Sequence, residues 1–411
     1  MSLNEGFKLN EKVITVILAG GQGTRLYPLT LHRSKPAVSF GGRHRLIDIP
    51  ISNSINSKIR KIFVISQYFA SGLQQHLSST YPHDTLSKGN LEMLCPEETS
   101  KGICWFKGTA DAVRQNLKNL SAPNIEYYLI LSGDQLYNID LLEMVEFAKE
   151  KDADLVIASL PVEEKEAKRM GLLKINSNNH IEDFYEKPQT KELLEKFEFQ
   201  EGKYLGSMGI YVFKKEALFL LLEKEGDDFG KDLIPLMIKE KKSFSFVYDG
   251  YWEDIGTVDS FYKANLALIE QKNCLNMNDP WRPIYAESQH LASSIIKNSV
   301  VDRSIISLGC LIDAKEVIHS LIGARTSIGE GSVIRDSIVM GNLGIYEEAF
   351  LCIGKNCLIQ RAIIDENSQI GDHVELTNKK NHIHYDGDGI FIRDGIIIVT
   401  SGTKVPDYFI L

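Results

Sequence analysis

The sequence predicts two domains, an α/β domain with a mostly parallel sheet followed by a parallel β-helix. A chain of 411 residues is longer than one hydrophobic core usually serves. From residue 13 to about residue 271, short β-branched runs alternate with longer amphipathic segments, which is the pattern of βαβ units. Beyond a polar stretch with two prolines at 276–283, branched apolar residues recur six positions apart. We therefore predict domains at 1–272 and 291–411, joined by a linker at 273–290.

The first domain should contain six core strands and four amphipathic helices. The β-branched runs predict strands at 13–19, 61–66, 127–131, 155–160, 209–213 and 244–248. Apolar residues at helical spacing predict helices at 110–120, 140–149, 215–224 and 258–270.

The second domain has the six-residue spacing of hexapeptide repeats, in which each triangular coil stacks its inward Ile or Val on the coil below. The spaced pairs are Ile328 and Ile334, Ile353 and Ile359, and Ile364 and Ile370. Small residues nearby suit tight corners. An ordinary β-sandwich is the alternative, but its turn signals come every eight to twelve residues, and the period here is shorter.

Composition excludes several classes of function. With 43% hydrophobic and 25% charged residues, the chain is typical of a globular protein. A formal net charge of −9 argues against nucleic acid as a partner. Six cysteines lack metal-site spacing and are expected to be buried free thiols. Neither a signal peptide nor a membrane span is predicted, so we expect a cytoplasmic protein without a membrane partner. A plastid location fits only if a transit peptide has been removed.

A glycine-rich turn follows the first predicted strand, where ligands of open α/β sheets bind. It reads Gly20-Gly21-Gln22-Gly23-Thr24-Arg25-Leu26. Glycine lets backbone N–H groups approach phosphate oxygens, and Arg25 and Lys35 supply positive charge. The turn matches neither the Gly-x-Gly-x-x-Gly pattern nor a Walker A loop, which disfavours a dehydrogenase or a P-loop NTPase.

Four segments in order resemble the sugar-phosphate nucleotidyltransferases: the turn just quoted with Leu18-Ala19 before it, Lys35-Pro36, Ser132-Gly133-Asp134 and Glu186-Lys187-Pro188. Five more are similar to the ADP-glucose pyrophosphorylases. They are Lys35-Pro36-Ala37-Val38, Arg45-Leu46-Ile47-Asp48-Ile49-Pro50, Gly108-Thr109-Ala110-Asp111-Ala112-Val113, Ser207-Met208-Gly209-Ile210-Tyr211-Val212-Phe213 and Tyr251-Trp252-Glu253-Asp254-Ile255-Gly256-Thr257. The resemblance implies a Rossmann-like mixed sheet followed by a left-handed β-helix. It also implies adenylyl transfer from ATP to α-D-glucose 1-phosphate, the activating step of glycogen or starch synthesis.

Such a reaction joins two polyanions, so charge neutralisation and positioning should dominate its barrier. Mg²⁺ is therefore the expected cofactor, since it prefers carboxylate and phosphate oxygens. Asp134 and Asp254 each follow a predicted strand, and the resemblance also assigns them to the metal. A lone Asp at such a place is more often a helix cap or a turn residue.

The resemblance assigns the remaining contacts of the site. Besides Asp134, the catalytic residues would be Arg25 and Lys35, facing the β- and γ-phosphates. ATP would contact Gly20, Gly21, Gly23, Thr24, Gln67, Gly108 and Thr109. Glucose 1-phosphate would contact Phe106, Gly171, Glu186, Lys187 and Ser207.

Regulation is where this sequence departs from the family. The activator site of the family is built from lysines, and the matching positions here read His32, Arg393 and Ser401, with Arg33 and Arg45 still basic. We therefore expect weaker or altered activation by sugar phosphates or phosphoglycerate. The flat faces and edge coils of a β-helix also favour a homotetramer.

Three alternatives remain open. A relative that makes dTDP- or UDP-glucose would share the glycine-rich turn. An acyltransferase would use a histidine of the β-helix, such as His290, His319, His373, His382 or His384. A non-catalytic regulatory subunit would have a damaged site, whereas Asp134, Asp254, Arg25, Lys35 and Lys187 are all present here.

Overall fold

The computed structural model describes residues 9–81, 89–99, 102–287, 290–342 and 351–411. Within these ranges, no helix combines the length and apolarity that a membrane span requires. None of the six cysteines forms a disulfide, but they are not all buried as expected, since Cys104 and Cys352 are exposed.

The first domain is built on a ten-stranded mixed sheet. Its strands are Val13–Leu18, Lys61–Ile65, Asn90–Leu94, Tyr127–Ser132, Leu155–Glu163, Gly171–Ile175, Ile181–Glu186, Glu198–Gln200, Lys203–Lys214 and Ser243–Val247. Short two-stranded ribbons add Ser39–Phe40 with His44–Arg45, Glu98–Thr99 with Gly102–Ile103, and Gln135–Tyr137 with Trp252–Asp254.

The sheet has a parallel half and an antiparallel half. Val13–Leu18 lies between Lys61–Ile65 and Tyr127–Ser132 and is parallel to both. Lys203–Lys214 then pairs antiparallel with Tyr127–Ser132 and with Leu155–Glu163. The carboxyl ends of the parallel strands therefore share one edge, which is where a site was expected.

Helices cover both faces of this sheet. Their bounds are Asp48–Asn56, Ala70–Thr80, Thr109–Gln115, Leu117–Leu120, Leu141–Glu150, Glu164–Ala167, Lys191–Lys196, Lys215–Leu222, Ile234–Glu240 and Val258–Glu270. Single turns of 3₁₀-helix form at Thr24–Leu26 and Lys35–Ala37, and a π-helical turn at Phe229–Leu233. Alternate strand residues supply two separate cores, with Val16 and Ile130 in one and Ile17 and Leu131 in the other.

Two predicted elements differ from the structure. The helix expected at 110–120 is two helices, because Asn116 interrupts it and donates its side-chain amide back to the carbonyl oxygen of Ala112 at 2.8 Å. The strand expected at 209–213 is the twelve-residue strand Lys203–Lys214. The residues added to this strand pair with strand Leu155–Glu163, which is also longer than the segment predicted at 155–160.

The second domain is a parallel β-helix with three sheets. One is formed by Ile295–Ile296, Leu311–Ile312, Thr326–Ile328, Leu351–Ile353, Gln369–Ile370 and Lys404–Val405. A second is formed by Val300–Asp302, Glu316–Ile318, Val333–Arg335, Leu358–Gln360 and Glu375–Leu376. The third is formed by Ile305–Ile306, Leu321–Ile322, Ile338–Val339, Ala362–Ile364, Ile396–Val399, Ile390–Arg393 and His384–Asp386, the last two antiparallel.

Successive coils stack in register, which confirms the predicted hexapeptide repeats. Ile312, Ile328, Ile353 and Ile370 follow one another up the first sheet, and all four are buried. One corner requires glycine, because a Cβ on Gly329 would lie 2.8 Å from the backbone of Gly354 in the next coil.

The two domains are packed against each other. Helix Val258–Glu270 shares a buried apolar cluster with Leu321, Ile338 and Ile363 of the β-helix. Across the same interface, the Tyr262 hydroxyl donates to the carbonyl oxygen of Asp336 at 2.5 Å. The interface also buries an ion cluster in which Arg33 pairs with Asp365 and Glu366.

Candidate active site

A cleft of about 450 Å³ lies at the carboxyl ends of strands Val13–Leu18, Lys61–Ile65 and Tyr127–Ser132. Nine of the residues expected in the site line it, namely Gly20, Gly21, Gln67, Phe106, Gly108, Thr109, Asp134, Glu186 and Lys187. Segments up to 167 positions apart in the sequence thus meet at one edge of the sheet.

The glycine-rich turn forms one wall of the cleft through Gly20 and Gly21. Gly23 has φ +64°, and a Cβ there would lie 2.9 Å from Cβ of Lys35. Glycine is therefore needed so that the turn can pack directly on the stem of Lys35. The hydroxyl of Thr30 donates to the carbonyl oxygen of Gly23 at 3.1 Å and fixes this packing. Gly23 and Thr24 themselves lie outside the cleft lining.

Gln67 connects the turn to the next wall. Its side-chain amide donates to the carbonyl oxygen of Gly20 at 3.2 Å and accepts from the amide of Phe106 at 3.0 Å. Gly108 lies so close to Asp227 that a Cβ would be 2.3 Å from that carbonyl oxygen. These contacts set the distance between the two walls of the cleft.

Thr109 starts a helix without capping it. Its hydroxyl donates to Asp228 Oδ2 at 3.0 Å and accepts from the amide of Phe229 at 2.9 Å. The first amides of the helix, those of Ala110 and Asp111, donate instead to the carbonyl oxygen of Asp227. Thr109 thus ties the helix to the far side of the cleft.

The two expected metal carboxylates meet at the ammonium of Lys35. Lys35 Nζ lies 2.6 Å from Asp134 Oδ2 and 3.8 Å from Asp254 Oδ1. Asp134 also accepts a hydrogen bond from the Ser132 hydroxyl. Asp254 follows strand Ser243–Val247, as predicted, and lies on a further short strand, Trp252–Asp254, where it is opposite Gln135. That pairing brings it beside Asp134.

The electrostatics of this pair favour a cation. Burial raises the pKa of Asp254, and the negative charge of Asp134 raises it further, against the effect of Lys35 and Arg25. In the described part of the chain, no cluster of three or more His, Cys, Asp or Glu side chains forms a closed metal cage. Two carboxylates suit Mg²⁺, which keeps its other positions for water and phosphate oxygens.

Glu186 and Lys187 form the opposite end of the cleft. Gly171 lies across from Glu186 in the sheet, and a Cβ there would be 2.7 Å from Glu186 Oε2, so glycine leaves room for this carboxylate. Lys187 has φ +51°, and its Nζ lies 2.9 Å from Glu186 Oε1. Its side chain is 60% exposed and free to meet an anion. Gly171 and Ser207 support this end from outside the cleft lining, and Ser207 accepts from the amide of Gly209 at 3.3 Å.

Several residues of the site were missed by the sequence reasoning. Gln135, Tyr211, Asp228 and Gly230 line the cleft. Arg169 lies beside Arg25 and Asp254, because a Cβ on Gly256 would be within 3.7 Å of all three side chains. Asp228 follows a Glu-Gly-Asp turn that could have signalled a loop at the site, whereas Arg169 had no local signal.

The residues expected to bind an effector lie near the domain interface. Arg33 is paired with Asp365 and Glu366. Arg45 donates to the carbonyl oxygen of Ala37 at 3.1 Å. Arg393 pairs with Asp386 at 2.5 Å, and its guanidinium carbon lies 5.7 Å from the ring centre of Tyr27. His32 is exposed and Ser401 is half-buried.

A larger cavity of about 1110 Å³ lies between the domains, lined in part by His44, Leu268, Cys274 and Ser307. Burial lowers the pKa of His44 to about 4, so this imidazole is neutral at pH 7. The cavity has neither the glycine-rich turn nor the carboxylate pair. The smaller cleft is therefore the candidate active site.

Two family models match the chain. A model described as nucleotidyl transferase matches residues 14–271, which is more than half of the chain. A model described as GLGC left-handed parallel beta-helix domain matches residues 289–410. The first match contains every residue of the cleft described above.

Proposed function

We propose that the protein makes ADP-glucose, because it belongs to the nucleotidyl transferase family and carries a GLGC left-handed β-helix domain. This combination is typical of sugar-phosphate nucleotidyltransferases of the ADP-glucose pyrophosphorylase type. The substrates would be ATP and α-D-glucose 1-phosphate, with pyrophosphate as the second product. This is the activating step of glycogen or starch synthesis, and we propose a cytoplasmic location for it.

The observation that carries the proposal is the charge arrangement along the cleft. At one end, Asp134 lines the cleft and pairs with Lys35, which lies with Asp254 just outside the lining. At the other end, the exposed Lys187 lies beside Glu186. A nucleoside triphosphate suits the first end, and a sugar phosphate suits the second. The volume of the cleft, about 450 Å³, is within the range of small-ligand sites.

In this reaction a phosphate oxygen of glucose 1-phosphate forms a bond to the α-phosphorus of ATP. The bond from that phosphorus to the β-phosphate bridging oxygen breaks, and pyrophosphate leaves in line. Asp134 and Asp254 would hold Mg²⁺, which supplies neutralising charge at the phosphates. Lys187 holds the attacking phosphate and Glu186 the sugar hydroxyls. The amides of Gly20 and Gly21 orient the nucleotide phosphates, and Arg25 and Lys35 stabilise the charge that develops on pyrophosphate.

The test is release of pyrophosphate from ATP and glucose 1-phosphate with Mg²⁺, beside the Asp134→Asn variant. We expect an active parent and an inactive variant. Running UTP and dTTP in parallel addresses the nearest alternative, and a clear preference for either would refute the adenylyl assignment. A parent inactive with every nucleotide would favour a regulatory subunit, and acetyl transfer from acetyl-coenzyme A would favour the acyltransferase.

We also propose that the protein assembles as a homotetramer. Among the described residues, strands Ile295–Ile296 and Val300–Asp302 of the first coil are the edges of their sheets. Ile295, Ile296 and Val300 are 49%, 46% and 60% exposed there, a concentration of apolar side chains that favours contact with another subunit. Light scattering that gives a monomer mass would reject this proposal.

Weak activation by anionic effectors is part of the same proposal. Arg33, one of the residues expected to bind them, already pairs with two carboxylates of its own chain, so a phosphate has to compete for it. We expect little activation by fructose 1,6-bisphosphate or 3-phosphoglycerate in a rate titration. Strong activation by either contradicts the expectation.

A further inference from the structure

We infer that the β-helix domain positions the catalytic Lys35, through a clamp formed by Asp365 and Glu366 on the residues Arg33 and Ser39 that flank it. The role of Lys35 in catalysis rests on the proposed function. The clamp itself rests on contacts between the two domains.

The carboxylates of the clamp come from one corner of the β-helix. Asp365 and Glu366 directly follow strand Ala362–Ile364. The amide of Asp365 donates to the carbonyl oxygen of Val399 at 2.9 Å, and the amide of Glu366 donates to Asp365 Oδ1 at 2.7 Å. The side chains of Asp365 and Glu366 are 2% and 13% exposed. This corner is therefore a fixed and largely dry platform.

Both ends of the segment that carries Lys35 attach to this platform. Arg33 Nη2 lies 2.7 Å from Asp365 Oδ2, and Arg33 Nη1 lies 3.1 Å from Glu366 Oε1. On the other side of Lys35, the hydroxyl of Ser39 donates to Glu366 Oε1. A single carboxylate, that of Glu366, thus contacts residues on both sides of the 3₁₀ turn Lys35–Ala37.

The clamp places one buried cation between two carboxylates. Burial by itself would lower the pKa of Arg33, but Asp365 and Glu366 outweigh it and raise that pKa. Without its carboxylates, a buried guanidinium is a costly unpaired charge. Removing the two negative charges should therefore drive Arg33 towards water and pull the segment with it.

Movement of this segment reaches the active site directly. Lys35 is two residues from Arg33, and its Nζ lies 2.6 Å from Asp134 Oδ2. Besides the clamp, the turn accepts the amide of Ile47 at the carbonyl oxygen of Pro36, 2.9 Å away, and the side chain of Arg45 at the carbonyl oxygen of Ala37, 3.1 Å away. Among these contacts, only the clamp comes from the other domain. A displacement of about 1 Å in a catalytic group can cost about 10²-fold in rate. Asp365 and Glu366 are therefore positioning residues that act through Lys35.

The experiment compares the parent with the double variant Asp365→Asn/Glu366→Gln. We expect kcat to fall about 10²-fold, with little change in KM for glucose 1-phosphate. In a Lys35→Ala background the same two substitutions should cause no further loss, because their effect passes through Lys35. Tyr262→Phe is the matched control, since it removes the interdomain hydrogen bond to Asp336 without touching the segment of Lys35.

A second readout does not depend on catalysis. Acylation of Lys35 by an amine-reactive reagent, followed by peptide mass spectrometry, should be faster in the double variant than in the parent or in Tyr262→Phe. If the parent makes no nucleotide sugar, the proposed function fails, and this labelling rate still decides the inference.

The inference is overturned if the double variant, folded by circular dichroism, keeps both the kcat and the labelling rate of the parent. If the double substitution lowers kcat in the Lys35→Ala background by the same factor as in the parent, the inference is also overturned. That result would mean that the effect on kcat is independent of Lys35. Should the double variant fail to fold, Ser39→Ala replaces it. That substitution removes only the contact of Glu366 on the far side of Lys35 and should still speed the labelling.

Discussion

Two clusters of the same composition, one cation between two carboxylates, lie on either side of the segment 33–35. In the open cluster, Lys35, Asp134 and Asp254 are 10%, 22% and 36% exposed. In the closed cluster, Arg33, Asp365 and Glu366 are 11%, 2% and 13% exposed. The two cations are buried to a similar extent, whereas the carboxylates of the closed cluster are more buried than those of the open cluster. Access of solvent to the carboxylates thus separates a site that can exchange its cation from a fixed connection between domains.

The identity of the cation fits this difference. A lysine ammonium is a compact point charge, which suits a group that faces exchangeable metal and phosphate. An arginine guanidinium is a planar fork that can meet two acceptors in fixed directions. Arg33 uses different nitrogens for Asp365 and Glu366. Four substitutions or titrations distinguish the clusters, from the largest expected effect to the smallest.

Asp134→Asn should lower kcat by about 10³-fold or more, because it removes a charge that acts on the reacting phosphates. The free energy of unfolding should change little, since this carboxylate is partly exposed. Pyrophosphate release and urea denaturation measure the two effects. Asp302→Asn, at an exposed site on the β-helix, is the control and should change neither. Retained activity in Asp134→Asn would remove the open cluster from the mechanism.

Arg33→Met should lower the free energy of unfolding by about 3 to 5 kcal/mol, because two buried carboxylates are left without their cation. Lys35→Met should cost less than about 1 kcal/mol, since water reaches the carboxylates it leaves. Urea midpoints of the two variants provide the comparison. Equal losses would show that the two clusters do not differ in the way their exposure suggests.

Mg²⁺ should raise the thermal midpoint of the parent relative to NaCl of equal ionic strength. At ten times its dissociation constant, an ion stabilises the folded state by about 1.4 kcal/mol. Asp254→Asn should reduce this gain, whereas Asp365→Asn should retain it because the closed cluster does not exchange its cation. An equal response in all three proteins would place the ion elsewhere.

Asp254→Asn should slightly raise the thermal midpoint at pH 7 without Mg²⁺. The pKa of Asp254 is higher in the folded state than its ordinary value of 3.8, so the folded state binds the proton more tightly. Stability is therefore lost as the pH rises from that ordinary value through the raised pKa. The advantage of the variant should disappear near pH 4. A difference that does not depend on pH would contradict this reading.

Much of the fold could be predicted from the sequence because its signals are local. The six-residue spacing around Ile328 and Ile353 predicted the coils, and β-branched runs predicted strands Val13–Leu18 and Lys61–Ile65. Strands Gly171–Ile175 and Ile181–Glu186 were missed, because pairing between them and with Lys203–Lys214 stabilises them rather than their own composition.

The candidate site and its supporting contacts likewise include residues that the sequence predicted and residues that it did not. Motifs predicted Gly20, Gly108 and Glu186, since each lies in a short segment with a family pattern. Asp365 could not be found by such means, because its partner Arg33 is 332 positions away and no local pattern records the contact. Residues that act through a neighbouring domain depend on the packing of the two domains, which only the folded structure supplies.

The β-helix also fixes the distance between the points at which it contacts the first domain. The first domain contacts it at Ser307, whose hydroxyl donates to the carbonyl oxygen of Gly42, at Asp336 and at Asp365. The sheet that runs through Ile306, Ile322, Val339 and Ile364 rises by three coil steps between the first and last of these levels, about 14 Å in all. Deleting one coil would preserve the stacking but move Asp365 about 5 Å from its register with Arg33. The number of coils before Asp365 is therefore set by the other domain, and strand Ile390–Arg393 after it also contacts that domain, since the ring of Phe391 packs edge-on against Tyr27.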